Sequence, residues 1–146
     1  MAQSKFIHPL WGLFALVVVG FPVGVLCWPD PPPPQRYGEL PNFSLLDQTG
    51  APFERWDMTG GVWVADFIFT RCPEICPLLS TRMAQLQDLV LAHDSGGPPI
   101  GLVSITVDPR HDTPAVLAEY GSKFSADPSV WSFLTGSEND IQLRSE

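Results

Sequence analysis

The chain has 146 residues, with 16 acidic and 8 basic side chains and a formal net charge of −8. That balance excludes a nucleic-acid-binding role, because eight scattered cations cannot neutralise a phosphate backbone. The length allows one domain of ordinary size plus an appendage, and six of the 16 prolines, between Pro22 and Pro34, mark the boundary.

Residues 1–8 form a short N-terminal segment, expected in the cytoplasm. From Pro9 to Trp28 no residue is charged, and Leu10 to Val19 is apolar almost throughout. At about 1.5 Å per residue a helix over 9–28 spans about 30 Å, the thickness of a bilayer's hydrocarbon core. Trp11 and Trp28 stand near its ends, as interfacial aromatics do. Lys5 before it and Asp30 after it orient the rest of the chain outside the cytoplasm, facing the periplasm if the membrane is a bacterial inner membrane. Val25-Leu26-Cys27 offers no small-residue cleavage site, so the sequence predicts an uncleaved anchor rather than a signal peptide. Leu26 is also too bulky for a lipoprotein site, which leaves Cys27 an ordinary membrane-buried thiol. Residues 29–39 form a proline-rich linker, in which Pro29-Asp30-Pro31-Pro32-Pro33-Pro34 extends as polyproline II.

The globular part, 40–146, begins with a short strand at Phe43–Leu46 and a turn at Asp47–Gly50. Val62–Phe69 is apolar on both faces and reads as a central strand with helices on either side. A helix follows, with Pro77 in its first turn and a core-facing stripe of Leu79, Met83, Leu86 and Val90. Gly96-Gly97-Pro98-Pro99 ends it, and Ile100–Val107 is a second buried strand. Thr113 caps a second helix with Pro114 at its first position, and Val116, Leu117, Tyr120 and Phe124 share its apolar face. Trp131–Leu134 is a third strand, and Ser137 to Asp140 opens another helix. Strands alternating with helices indicate an α/β fold with a parallel sheet. Such a sheet normally continues, so the domain is expected to be incomplete at its C-terminus.

Chemistry concentrates in Phe69-Thr70-Arg71-Cys72-Pro73-Glu74-Ile75-Cys76-Pro77, at the junction of the apolar strand and the first helix. Backbone N–H groups at a helix start favour thiolate over thiol, and Arg71 adds a positive charge beside Cys72. The spacing lets the two sulfurs reach each other or grip one soft metal ion. Three plainer readings stand beside these. Half of a zinc site would want a second Cys/His pair at finger-like spacing, which the chain lacks. A structural disulfide across so small a loop contributes little cross-linking entropy. Two buried thiols without a role are the third.

Val64-Ala65-Asp66-Phe67, leading to a cysteine at a helix start, resembles the thioredoxin superfamily. There an aspartate six residues before the first cysteine accepts the proton of the second. Asp66 holds that position, and a strand aspartate satisfied by backbone or water is the alternative. A closer resemblance is to the Sco/SenC copper metallochaperones, membrane-tethered proteins of thioredoxin-like fold. Phe69–Pro77 resembles their copper motif, Val103–Pro114 their second signature, and Trp131–Gly136 their third.

That resemblance implies a thioredoxin-like three-layer sandwich in which Cys72 and Cys76 ligate copper as thiolates. It also implies delivery to the copper centre of cytochrome c oxidase, through its copper subunit or another copper-carrying protein. In an oxidising compartment the pair would form a disulfide when copper is absent. In the family a downstream histidine completes the site, at a position expected beyond Glu146. His8, His93 and His111 do not occupy it, and Met83 falls on the core stripe. The same sulfurs would also serve a membrane-anchored thiol–disulfide reductase, with Cys72 attacking, Cys76 resolving and Asp66 taking the proton. A peroxide-reducing enzyme ranks last, since its resolving cysteine usually lies far from the first.

Overall fold

The computed structural model describes residues 33, 35, 37–92 and 96–141. The expected segments 1–8 and 9–28, most of the linker 29–39, and Cys27, His8 and His93 lie outside them. Among the described residues no helix is long and apolar enough to cross a membrane.

In chain order the elements are β1 (Ser44–Leu46), β2 (Pro52–Glu54), a 3-10 turn (Arg55–Met58), β3 (Val62–Ile68), α1 (Ile75–Ala92), β4 (Ile100–Thr106), α2 (Pro114–Ser122), β5 (Trp131–Leu134) and α3 (Glu138–Ile141). β1 and β2 form an antiparallel hairpin with Leu45 opposite Phe53. Asp47 builds its turn: one carboxylate oxygen accepts the backbone N–H groups of Thr49 and Ala51. Burial pushes the Asp47 pKa up, but the Thr49 hydroxyl, which donates to the same oxygen at 2.6 Å, and these backbone N–H groups outweigh it and hold the pKa below the usual carboxylate value.

β3, β4 and β5 form a parallel sheet in that order. The register aligns Val64 with Leu102, Asp66 with Ser104 and Ile68 with Thr106, so these six share one face of the sheet. Leu102, Trp131, Phe133 and Ile68 on that face pack with Cys76 and Met83 of α1 and with Leu117 and Tyr120 of α2. Val103 and Leu134 on the opposite face pack with Leu45 and Phe53 of the hairpin. Leu46 and Thr135 exchange backbone hydrogen bonds of 2.7 and 2.9 Å, which join the hairpin to the end of β5.

The α/β alternation is as read from the sequence, with three corrections. Among the described residues β3 pairs on one side only, with β4, and Val62 and Phe67 remain more than half exposed. The middle strand is β4, whose residues are almost all buried. Among the described residues, long helices do not cover both faces. α1 and α2 share one face, and the hairpin and the four-residue α3 cover the other.

The third correction concerns the buried stripe of α1, which is Cys76, Ser80, Met83 and Gln87, with Leu79 38% exposed. The helix is rotated relative to the apolar pattern because two buried polar residues find hydrogen-bond partners. Ser80 Oγ lies 3.0 Å from the Tyr120 hydroxyl. Gln87 Nε2 donates to the Ser125 carbonyl at 3.1 Å, and its Oε1 accepts the Asp127 N–H at 2.7 Å. Hydrogen bonding removes the penalty that would otherwise keep these groups in water. α2 starts where expected: Thr113 Oγ1 accepts the Val116 N–H, and Pro114 opens the helix.

Candidate metal centre

β3 ends at Ile68 and delivers the chain to a tight turn in which the Cys72 N–H donates to the Phe69 carbonyl at 3.0 Å. Pro73 and Glu74 then lead into α1 at Ile75. The turn sets Cys72 at the open N-terminus of that helix, where its Sγ accepts the Cys76 N–H at 3.4 Å. This sulfur therefore partners one of the orphan donors of the first turn.

The two thiols lie in opposite electrostatic surroundings. Backbone N–H groups of Cys76 and Glu74, with a smaller share from Ile75, hold the Cys72 pKa below its ordinary value. Burial pushes the Cys76 thiol up, and the neighbouring Cys72 and Asp66 charges add to it. Both are free thiols, with Cys72 8% and Cys76 3% exposed. The Arg71 guanidinium is engaged with the Asp108 carboxylate at 2.5 Å. The backbone amides at the start of α1 are the main influence lowering the Cys72 pKa.

Asp66 lies on β3 on the sheet face that carries α1. Ser104 Oγ, its neighbour across the register, donates to Asp66 Oδ1 at 2.5 Å and itself accepts the Trp131 indole N–H at 2.9 Å. Asp66 Oδ2 is buried and has no hydrogen-bond partner among the described residues. Burial raises the Asp66 pKa, while the Ser104 hydrogen bond opposes the rise. Tyr120, above the same face, is raised by burial and by the charges of Cys76, Asp66 and Cys72.

Two soft sulfurs, one turned toward thiolate, form a donor set suited to a monovalent soft ion such as Cu(I). Among the described residues no group of three or more His, Cys, Asp or Glu side chains is placed to hold a metal. His111 is exposed in the turn after β4, where its N–H donates to the Asp108 carbonyl. Met83 is 6% exposed within the core.

The sequence reading missed Ser104, which orients Asp66, and Asp112, which is fully buried and contacts the cysteine-bearing turn through Thr70. A signal for Ser104 was present, since a serine amid Leu102, Val103 and Ile105 needs a buried partner.

Comparison with known proteins gives one consistent result. Residues 32–145 match the family model described as SCO1/SenC. The SCO1 protein homolog of Bacillus subtilis is 33% identical over 105 residues, covering 71% of this chain and 53% of that protein. The chain spans about half the length of the curated relatives it matches. Among solved structures, BsSco, a member of the Sco family of cytochrome c oxidase assembly proteins, superposes with a TM-score of 0.64 at 33% identity, covering 71% of this chain and 60% of that one. Bradyrhizobium japonicum ScoI, solved with copper bound, gives 0.60 at 29% identity over 69% of this chain and 60% of its own.

Proposed function

The chain belongs to the SCO1/SenC family, and from that premise we propose that it is a copper metallochaperone whose cargo is held by Cys72 and Cys76. One observation carries this reading: Cys72 Sγ sits on the N-terminal amides of α1, four residues before a second free cysteine in the same helical turn. The amides stabilise a first thiolate in metal-free protein, and a bound cation would then favour ionisation of the second. Release proceeds by ligand exchange, in which thiolates of an acceptor displace Cys72 and Cys76 in turn and copper is never free. The acceptor is a copper-carrying protein, and the copper subunit of cytochrome c oxidase fits the assembly role stated for BsSco. We place the domain outside the cytoplasm, on an anchor over residues 9–28, from the absence of charge between Pro9 and Trp28.

Anaerobic titration of the reduced protein with Cu(I) tests the assignment. One copper per chain is expected, lost in both Cys72→Ser and Cys76→Ser. Stoichiometric binding retained in both variants would remove the cysteine pair as the site.

A second reading rests on Asp66, whose buried Oδ2 has no partner and whose charge acts on Cys76. As a thiol–disulfide reductase, Cys72 thiolate would attack a client disulfide and expel one client thiolate. Asp66 would take the Cys76 proton, and Cys76 would then attack Cys72 Sγ, releasing the reduced client and leaving Cys72–Cys76 oxidised. A reducing thiol would have to restore the pair. Stoichiometric reduction of an oxidised client that fails in Cys72→Ser supports this activity, and no reduction while copper transfer proceeds rejects it.

A further inference from the structure

Asp112 is fully buried, and among the described residues every hydrogen bond its carboxylate accepts comes from a threonine, Thr70 in the cysteine turn or Thr106 at the end of β4. Its Oδ2 accepts the Thr70 N–H at 3.1 Å and the Thr106 hydroxyl at 2.5 Å. Its Oδ1 accepts the Thr70 hydroxyl at 2.5 Å. Thr70 belongs to the turn that carries Cys72, and Thr106 closes β4 beside the end of β3. The contacts form a ring: Thr106 Oγ1 also accepts the Asp108 N–H at 3.0 Å, and the Asp108 carboxylate engages Arg71, the residue after Thr70.

We infer that Asp112 is the positioning residue of the thiol pair: by gripping the backbone and hydroxyl of Thr70 it fixes the turn that seats Cys72 Sγ on the N-terminus of α1. The inference deepens the copper reading and rests on it for the identity of the cargo, but not for the geometry. Two features distinguish it from ordinary core stabilisation. The carboxylate is spent on the Cys72 turn and on the strand end beneath it, not on α2, which its own loop precedes. The outer limb of the ring is an exposed ion pair, worth little on its own, so the inner limb carries the restraint.

Loss of Asp112 leaves the Thr70 N–H and two hydroxyls without their acceptor and frees the turn to move. Since a ligand's supporting contacts typically contribute 10- to 100-fold in metal affinity, Asp112→Ala should bind Cu(I) about 10- to 100-fold more weakly, still at one per chain. In metal-free protein Cys72 should also be alkylated several-fold more slowly at neutral pH, its sulfur no longer held against the amides. Asp112→Asn should recover most of both properties. Its amide oxygen can accept from the Thr70 N–H and the Thr106 hydroxyl, and the Thr70 hydroxyl can turn to accept from the amide nitrogen.

The experiment is competition for Cu(I) against a chromophoric chelator, paired with Cys72 alkylation rates. The variants are Asp112→Ala, Asp112→Asn and Thr70→Val, with Gly121→Ala as a destabilised control remote from the turn. Weakened binding and slowed alkylation in Asp112→Ala, restored in Asp112→Asn and absent in the control, support the inference. Native values of both in folded Asp112→Ala overturn it. Should Asp112→Ala not fold, Thr70→Val decides, because it deletes only the hydroxyl limb: native affinity and alkylation there overturn the inference, and a loss in both supports it. Should the unaltered protein take up no Cu(I), the copper reading fails by itself, and the alkylation rates still decide on Asp112.

Discussion

Ser104 Oγ donates to Asp66 Oδ1 at 2.5 Å, while the second oxygen of the same carboxylate is buried with nothing to accept from. Burial raises the pKa of this half-satisfied carboxylate, despite the opposing Ser104 contact.

The consequence is a pH-dependent stability of defined sign. With the folded pKa above the unfolded one, the folded state binds the proton more tightly, and stability falls as pH rises from the unfolded through the folded value. Above that window the cost of the ionised group is complete. Asp66→Asn should therefore be more stable than the native protein at pH 7, on the order of 1 kcal/mol for relieving one buried unpaired charged oxygen. The gain should shrink as pH falls toward the ordinary carboxylate range. Urea unfolding of both proteins between pH 4 and 8 checks this, and an advantage that grows on acidification would refute it.

A second prediction concerns the thiols of the reduced, metal-free protein. The Cys72 pKa is lowered by the amides of Cys76 and Glu74, and the Cys76 pKa is raised by burial. Alkylation at neutral pH should label Cys72 first, with a pH–rate midpoint below that of an ordinary thiol, and leave Cys76 largely unreacted. Arg71→Ala should leave that midpoint where it is, because the guanidinium is engaged with Asp108. Mass spectrometry of timed reactions reads both results. A clear upward movement of the midpoint in Arg71→Ala would show that the side chain, not the helix, polarises the sulfur.

The elements that could be read from the chain are those written in local pattern. The apolar runs of β3, β4 and β5 and the Thr113-Pro114 start of α2 need only neighbouring residues to be recognised. The face of α1 was misread because Ser80 and Gln87 are buried by partners 38 to 40 residues away, which no periodicity of apolar side chains encodes. The cysteine turn was legible for the local reason, since strand, turn and helix start are contiguous in sequence. The grip of Asp112 on Thr70 spans 42 residues and exists only once β3 and β4 lie side by side. That β3 has one strand neighbour among the described residues was hidden as well, because an apolar strand reads alike with one neighbour or two.

Gln87 supplies the third prediction. Its amide ties α1 to the segment after α2 through the Ser125 carbonyl and the Asp127 N–H, and the side chain is 4% exposed. Gln87→Leu keeps volume and adds apolar area, as the helix pattern alone would recommend. It nevertheless removes the partners of the part-buried Ser125 carbonyl and Asp127 N–H, so it should cost about 1 kcal/mol. Chemical denaturation measures the loss, and Cu(I) stoichiometry should stay at one per chain. An unchanged or increased stability would mean that water reaches both groups.

The last prediction tests how tightly the helix layer sits on the sheet. Gly121 is buried at the end of α2, where a Cβ would fall 2.8 Å from the ring of Phe133, itself 1% exposed on β5. That ring cannot retreat easily, because Trp131 stacks on it with centroids 4.7 Å apart and Tyr120 meets it edge-on at 6.2 Å. Gly121→Ala must then push α2 away from the sheet or force an unfavourable aromatic rotamer, at about 1–3 kcal/mol. The better helix propensity of alanine, worth about 1 kcal/mol in a helix interior, offsets only part of this. Thermal unfolding should show a lowered midpoint with the Cys72 alkylation rate unchanged, since the strain lies in the aromatic layer and not at the turn. If the midpoint rises instead, the propensity gain exceeds the steric cost, and the packing between α2 and β5 is looser than the 2.8 Å approach implies.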